Sequence, residues 1–146
     1  MSRERIRRAE KIVSLRLRAV DAARARLAEA MEHAQRTEIQ ARAAEKIWEA
    51  HARWMQQPHV QTVQDLRDAH AHLRLLRQRS DTATRDWEHA QDTELERRRE
   101  LADARLILKK FESWRDRLVS AQQDEDRRLQ ARFEDELAAR VVRSAS

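Results

Sequence analysis

The chain of 146 residues contains one proline, no glycine and no cysteine, and its net charge is +5. Without glycine, phosphate-binding loops of the G-x-x-x-x-G-K type and dinucleotide-binding fingerprints are excluded; without cysteine, disulfides, thiolate metal sites and cysteine nucleophiles are excluded as well. Charged residues make up 39% of the chain and aromatic residues 4%, a balance typical of long helices and coiled coils rather than of a large globular core.

The first element is a predicted helix over residues 3–54, in which apolar residues recur every seven positions. One column consists of Ile6, Val13, Val20, Leu27, Ala34, Ala41 and Trp48. The second column, three residues later, consists of Ala9, Arg16, Ala23, Ala30, Thr37, Ala44 and His51. Repeats of this kind predict a helix that packs along one seam, and the small second column lets a partner helix approach closely. The regular spacing also weighs against disorder, the alternative for so polar a chain.

A turn is predicted at residues 55–61, around the proline. Pro58 cannot donate a backbone hydrogen bond, and it disfavours the helical conformation at Gln57. A continuous, kinked helix is the alternative. A chain reversal is favoured because the segments on both sides of the proline carry one-sided apolar seams.

The second predicted helix covers residues 62–141 and carries a similar seam. Its first column consists of Leu66, Leu73, Trp87, Leu101 and Leu108, with Ser80 and Glu94 interrupting it. Its second column consists of Ala69, Leu76, Ala83, Ala90, Arg97, Ala104, Phe111 and Leu118. After Leu118 the spacing changes, and a separate apolar surface follows at steps of four residues: Leu129, Phe133, Leu137 and Val141.

Together, the two seams predict an all-α fold in one domain of residues 1–146, a two-helix antiparallel coiled-coil hairpin with a C-terminal helix overhang. If the turn is centred on Pro58, residue i lies opposite roughly residue 116 − i, so that Ile6 lies near Lys110. The second helix then overhangs the first beyond about Glu112. Because helix stability comes mainly from packing an apolar face, we expect the overhang to bind a partner or to fray.

No catalytic residue, metal site or cofactor is predicted, and we do not expect an enzyme. The six histidines lack the i, i+4 spacing of a helical metal pair. Of the four tryptophans, Trp48 and Trp87 fall on seam columns and are predicted to pack there. Trp54, near the turn, and Trp114, at the start of the overhang, are candidate anchors of a protein interface.

The positive charge is concentrated at the N-terminus, where residues 1–18 contain seven basic and two acidic residues and the rest of the chain is balanced. Such a segment is a candidate surface for phosphates, anionic lipid or an acidic protein, with a solvated helix face as the alternative. No apolar run approaches the roughly 18 residues of a membrane span, and the N-terminus lacks a hydrophobic signal core. We therefore expect a cytosolic protein.

In its length, lack of glycine, arginine-rich helical start, mid-chain break and polar C-terminal helix, the whole chain resembles the FliJ/YscO family, the stalk proteins of flagellar and type III secretion export. The local likeness lies in residues 109–118 (KKFESWRDRL) and 127–140 (RRLQARFEDELAAR). Family members similarly end in a charged helix that closes with an acidic pair and small residues, here Asp135, Glu136, Ala138 and Ala139.

The resemblance implies an antiparallel coiled coil, monomeric when isolated, that inserts the end bearing both termini into a hexameric export ATPase at the cytoplasmic side of the inner membrane. Its other parts contact the export gate, a membrane protein, and some members bind secretion chaperones. At the ATPase end the resemblance places Arg5, Arg7, Arg8, Phe133 and Leu137. At the gate end it places Trp54, Pro58, Val60 and Leu66.

Two other functions stay open from the residues. One is a generic structural or adaptor coiled coil, such as a homodimer that forms a four-helix bundle; light scattering separates it from a monomeric stalk. The other is a basic helical protein that binds nucleic acid or a membrane surface. Such binding depends steeply on salt, because it releases counterions, and it requires the positive charges of residues 3–8.

Overall fold

A computed structural model describes residues 2–57 and 62–145, which contain two long helices and no strand. Helix α1 comprises Ser2–Met55, and helix α2 comprises Val63–Ala145. The two helices pack against each other, which confirms the predicted all-α hairpin. The predicted helices were 3–54 and 62–141, so α2 continues four residues further than predicted. Pro58 and the rest of residues 58–61 lie outside the described residues.

Local hydrogen bonds cap the end of α1 and the start of α2. At the end of α1, the amide of Gln56 donates to the carbonyl of Arg53 at 3.1 Å, and that of Gln57 donates to Trp54 at 3.2 Å. These three-residue bonds tighten the last turn and use carbonyls that have no partner in a regular α-helix. Before α2, the hydroxyl oxygen of Thr62 accepts a bond from the amide of Asp65 at 3.0 Å. Thr62, predicted as the first helical residue, is therefore the N-cap of α2.

By their internal contacts, the helices divide into two compact units. Unit 1 contains Met1–Ala22 of α1 and Ala102–Ser146 of α2, and unit 2 contains Ala23–Leu101. In unit 2 the predicted seam is buried or half-buried except at Leu66, which is exposed, and its buried positions are mostly small side chains. Its buried residues are Ala23, Ala30, Ala34, Thr37 and Ala41 of α1, and Ala69, Leu76, Ser80, Ala90 and Leu101 of α2. Alanine at these positions lets the two backbones approach closely.

Two polar residues of the unit 2 seam are buried as fully as their alanine neighbours. Thr37 is 5% exposed, and its hydroxyl lies 2.9 Å from the carbonyl oxygens of both His33 and Ala34. The buried hydroxyl is therefore hydrogen-bonded within its own helix, as buried polar groups require. Ser80, predicted to interrupt the seam, is 6% exposed and keeps its place in the buried column. A small hydroxyl side chain thus substitutes for alanine without opening the seam.

The register between the helices differs from the predicted one. For His51 the prediction gives residue 65 as the opposite position, but its ring contacts Ala69 and His72. Trp48, predicted opposite residue 68, contacts Arg77. The reason lies at the start of α2, where residues 62–68 are all exposed and Ala69 is the first buried position. Packing therefore begins later in α2 than a tight turn centred on Pro58 would allow.

In unit 1, too, residues of α1 lie opposite later residues of α2 than the predicted register gives. Ala9, Val13 and Val20 of α1 are buried, as the seam predicts. Arg16, an imperfection in that seam, is exposed and places its guanidinium carbon 5.3 Å from the ring centroid of Phe111. The predicted opposite position was residue 100, eleven residues earlier.

The C-terminal overhang is consequently shorter than predicted. Half-buried residues of α2 continue past Glu112 as far as Gln122, and every described residue after Gln122 is exposed. Trp114, a candidate anchor expected at the start of the overhang, is half-buried, with its ring centroid 6.1 Å from that of Phe111. It lies before the overhang because the register differs from the predicted one and the end of α1 lies further along α2.

Candidate protein-binding surfaces

The C-terminal part of α2 is the most distinctive exposed surface of unit 1. Residues 123–145, here called the terminal arm, form continuous helix in which every residue is exposed. Four large apolar residues of the arm are between 44% and 65% exposed, and we call them the apolar stripe: Leu129, Phe133, Leu137 and Val141. Steps of four residues advance about 40° around a helix, so the stripe covers an arc of about 120°. The arm therefore carries one apolar face without a covering element in unit 1.

The charges of the terminal arm alternate in blocks. Acidic residues at 124–126 precede arginines at 127, 128 and 132, and acidic residues at 134–136 precede arginines at 140 and 143. Some of these groups interact locally: Arg127 and Asp124 approach to 3.7 Å, and the amide of Gln122 donates to Asp126 at 3.0 Å. The charges therefore give the arm an alternating electrostatic pattern along its length.

The residues that the family resemblance places at the ATPase end all belong to unit 1, but they form two surfaces. Arg5, Arg7 and Arg8 are exposed on the first turns of α1, where Arg8 approaches Glu4 to 3.7 Å. Phe133 and Leu137 are 62% and 44% exposed on the terminal arm. Phe133 lies eleven residues, or about 16 Å of helix, beyond the last half-buried position of α2. The arginines of α1 and the apolar stripe of the terminal arm are therefore two separate surfaces.

The residues assigned to the gate end belong to unit 2. Trp54 and Leu66 are each 43% exposed. The ring of Trp54 stacks on that of His51, with 5.4 Å between centroids and an interplanar angle of 23°. Pro58 and Val60 lie outside the described residues. The exposed fraction of Trp54 and Leu66 leaves both side chains accessible to another protein.

Comparison with protein-family models, curated proteins and solved structures finds no match for this chain. Within residues 2–57 and 62–145, no helical stretch is both long enough and apolar enough to cross a membrane. Within the same ranges, no group of three or more histidine, aspartate or glutamate side chains is placed to hold a metal ion.

A cluster of rings around His51 was not predicted from the sequence. The Nε2 atom of His51 lies 3.2 Å from the carbonyl oxygen of Ala69, and its ring meets that of His72 edge-on at 4.7 Å. Together with the stack on Trp54, these contacts join the end of α1 to the start of α2 beside the turn. The histidines were visible in the sequence, but only the correct register brings His51 opposite residues 69–72.

Cation–π contacts across the helices were also missed. The guanidinium of Arg77 lies 4.6 Å from the ring centroid of Trp48 and also approaches Asp81 to 3.4 Å. Arg16 covers Phe111 in unit 1. Each contact places an arginine at the rim of the seam over an aromatic ring, worth roughly 0.5–1 kcal/mol at an exposed site. Arg16, which interrupts a heptad column, therefore contributes to holding the helices together, as does Arg77 beside the seam.

An open groove in unit 2 is a second accessible surface. Its lining includes Met31, Gln35, Gln91 and the half-buried Trp87, together with three carboxylates, those of Glu32, Glu38 and Glu94. Met31 is 46% exposed in this groove. The lining thus combines one thioether, one indole and two amides with three carboxylates. The groove lies on neither of the surfaces that the family resemblance assigns.

Proposed function

We propose that this chain is a non-enzymatic stalk of the FliJ/YscO type that couples a hexameric export ATPase to an export gate in a flagellar or virulence-type secretion apparatus. The observation that supports the proposal is the apolar stripe on the terminal arm. An isolated helix with an exposed apolar face is only marginally stable in water, and burial against a partner removes that cost. The arm is therefore suited to insertion into another protein.

The exposed arginines of α1 support the same assignment. If the register of the Arg16–Phe111 contact continues to the start of α1, residues 5–8 lie opposite about residues 119–122, next to the start of the terminal arm. A ring whose entrance is acidic would attract this end electrostatically and then bury the apolar stripe deeper inside. Complementary charge of this kind accelerates and orients association more than it strengthens it. The two surfaces would thus act in sequence, the arginines at the rim and the stripe within.

The proposed coupling of the stalk to ATP turnover depends on the asymmetric contact between one stalk and a ring of six subunits. A single helical stalk cannot contact six identical subunits in the same way, so it binds some subunit conformations more tightly than others. Ligands shift a conformational equilibrium only by such differential affinity. We propose that the stalk raises ATP turnover by favouring the subunit conformations of the slow step. In this proposal Trp54 and Leu66 contact the gate, and chaperones of exported proteins are further partners.

ATP turnover by the cognate ring, measured with and without the full chain, tests the proposal. We expect the chain to raise turnover and a chain lacking residues 126–146 to lose the effect. The double variant Phe133→Ala/Leu137→Ala should need at least about tenfold more protein for half-maximal stimulation, because buried apolar anchors dominate binding energy.

The matched control is Val142→Ala. Val142 is 70% exposed, and it lies about 180° around the helix from Phe133, away from the apolar stripe. This control should stimulate like the unaltered chain. Unchanged turnover in a complex verified by sedimentation would reject the coupling role, and failure to form a complex with the ring would reject the stalk assignment itself.

The alternative of a basic nucleic-acid or membrane binder predicts a different result. Reversing Arg5, Arg7 and Arg8 to glutamate would then abolish binding to DNA or anionic vesicles, and binding by the unaltered chain would fall steeply with salt. The stalk proposal instead expects the same reversal to slow association with the ring while the apolar stripe still supplies most of the affinity.

A further inference from the structure

We propose that, when no other partner is bound, the terminal arm pairs with the terminal arm of a second copy of this chain in antiparallel orientation, centred on Phe133. Self-pairing does not depend on the proposed function, and it departs from the monomer that the family resemblance implies. The pairing partner is specified by the order of apolar and charged residues along the exposed face of the arm.

Three of the four residues of the apolar stripe are symmetric about Phe133; the fourth, Val141, has Glu125 at its mirror position. Leu129 and Leu137 lie four residues before and after it, about 40° to either side on the helix surface. When a second arm runs antiparallel with Phe133 facing Phe133, Leu129 of each copy lies opposite Leu137 of the other. Leu129, Phe133 and Leu137 of both arms then pack together in one small cluster. No residue of the described chain supplies this cover within a single molecule.

The charges next to this cluster are complementary in the same register. Asp126 and Arg140 lie seven residues before and after Phe133, each within about 20° of its direction. The antiparallel arrangement therefore places Asp126 of one copy opposite Arg140 of the other, and does so at both ends of the cluster. An ion pair in line with the apolar stripe closes each end.

A further ion pair lies along one flank. Arg132 and Glu136 project on the same side of the stripe, about 100° and 60° from Phe133. The two-fold axis of an antiparallel pair keeps each flank facing the same flank of the other copy. Arg132 then lies within about 3 Å, measured along the axis, of Glu136 of the second copy and at the same axial distance from Arg132 of that copy. On the other flank Glu134 lies equally close to Glu134 of the second copy, so the ion pairs at the ends of the cluster carry the complementarity. Among the described residues, neither Arg132 nor Glu136 makes an ion pair within its own molecule.

The same residues exclude a parallel pair. Parallel arms in register place Asp126 against Asp126 and Arg140 against Arg140 in line with the apolar stripe. Like charges at such positions oppose association. Because the complementary antiparallel segment is only about 15 residues, or about 22 Å, long, we expect weak self-association, with a dissociation constant between about 10 µM and 1 mM.

Sedimentation equilibrium of the full chain over a range of concentrations tests the pairing. We expect a monomer–dimer equilibrium. The single variants Asp126→Arg and Arg140→Asp should each raise the dissociation constant at least about tenfold, because each places like charges together at both ends. The double variant Asp126→Arg/Arg140→Asp should restore dimerisation, and mixing the two single variants should give a mixed dimer.

Cysteine cross-linking tests the register, since the chain contains no cysteine of its own. Under mild oxidation, Phe133→Cys should cross-link to itself. Leu129→Cys should not, because the two copies of residue 129 lie about 12 Å apart along the axis, beyond disulfide reach. Leu129→Cys mixed with Leu137→Cys should cross-link.

Three results would overturn the proposal: a monomer at all concentrations up to about 1 mM, a dimer that the single charge reversals leave unchanged, or self-cross-linking of Leu129→Cys. A monomer would show that the apolar stripe binds a different protein. A dimer unaffected by charge reversal would show that the copies associate through another surface. Self-cross-linking of Leu129→Cys would show that the arms run parallel. None of these results bears on the stimulation of an ATPase ring, which is measured separately.

Discussion

At the scale of single residues, the seam gains stability from close approach more than from large side chains. Alanine occupies most of its buried positions, and among the described residues Val20 is the largest side chain that is fully buried. The charged seam positions find other uses: Arg16 covers Phe111, and Arg97 forms an ion pair with Glu100 at 2.8 Å. A seam with so few large residues depends strongly on each of them.

We therefore predict that Val20→Ala lowers the free energy of unfolding by about 1.5 kcal/mol, since it removes two buried carbons and leaves a small cavity. The matched control is Leu15→Ala in the same helix. Leu15 is 61% exposed, so the control should change stability by less than about 0.5 kcal/mol. Urea unfolding followed by circular dichroism measures both. Equal effects of the two substitutions would contradict the assignment of Val20 to the core.

At the scale of elements, the sequence predicted which faces of the helices are buried but not how the helices are aligned. A seven-residue repeat identifies a seam regardless of its partner, so Val13, Ala34 and Leu101 were found from spacing. Alignment depends on the geometry of the connection, which the position of Pro58 does not determine. The exposed start of α2 shifted the register, and this one shift removed Trp114 from the predicted overhang.

The terminal arm is the longest stretch of α2 in which every described residue is exposed. Residues 123–145 have no covering element in unit 1, whereas residues 104–119 include many half-buried positions. A helix without tertiary packing opens readily. In dilute solution we predict that amide hydrogens of 123–145 exchange at least about tenfold faster than those of 104–119.

Hydrogen exchange measured by mass spectrometry checks this prediction, with the two segments of one helix as mutual controls. Raising the protein concentration should slow exchange in the arm if arms pair with each other, and should leave residues 104–119 unchanged. Equal protection of both segments in dilute solution would show that the arm is stable without a partner.

At the scale of the whole molecule, the two proposed uses of the terminal arm exclude each other. Pairing with a second copy buries Leu129, Phe133 and Leu137, and insertion into an ATPase ring requires the same residues. The ring would therefore have to displace the second copy, and its apparent affinity would fall as the concentration of the free chain rises. Self-pairing would in this way keep an exposed apolar face covered until the ring is available.

The antiparallel arrangement of the chain can be measured directly through its register in unit 1. The contact of Arg16 with Phe111 places residue 10 opposite about residue 117, whereas a turn centred on Pro58 would place it opposite residue 106. Spin labels at the exposed positions Glu10 and Arg117 should therefore lie closer together than labels at Glu10 and Leu106. The second pair is offset by about 16 Å along the helix axis. Pulsed electron paramagnetic resonance at low protein concentration measures both distances. A shorter distance between labels at Glu10 and Leu106 would support the register of a turn centred on Pro58. Long distances for both pairs would show that the helices do not pack in unit 1.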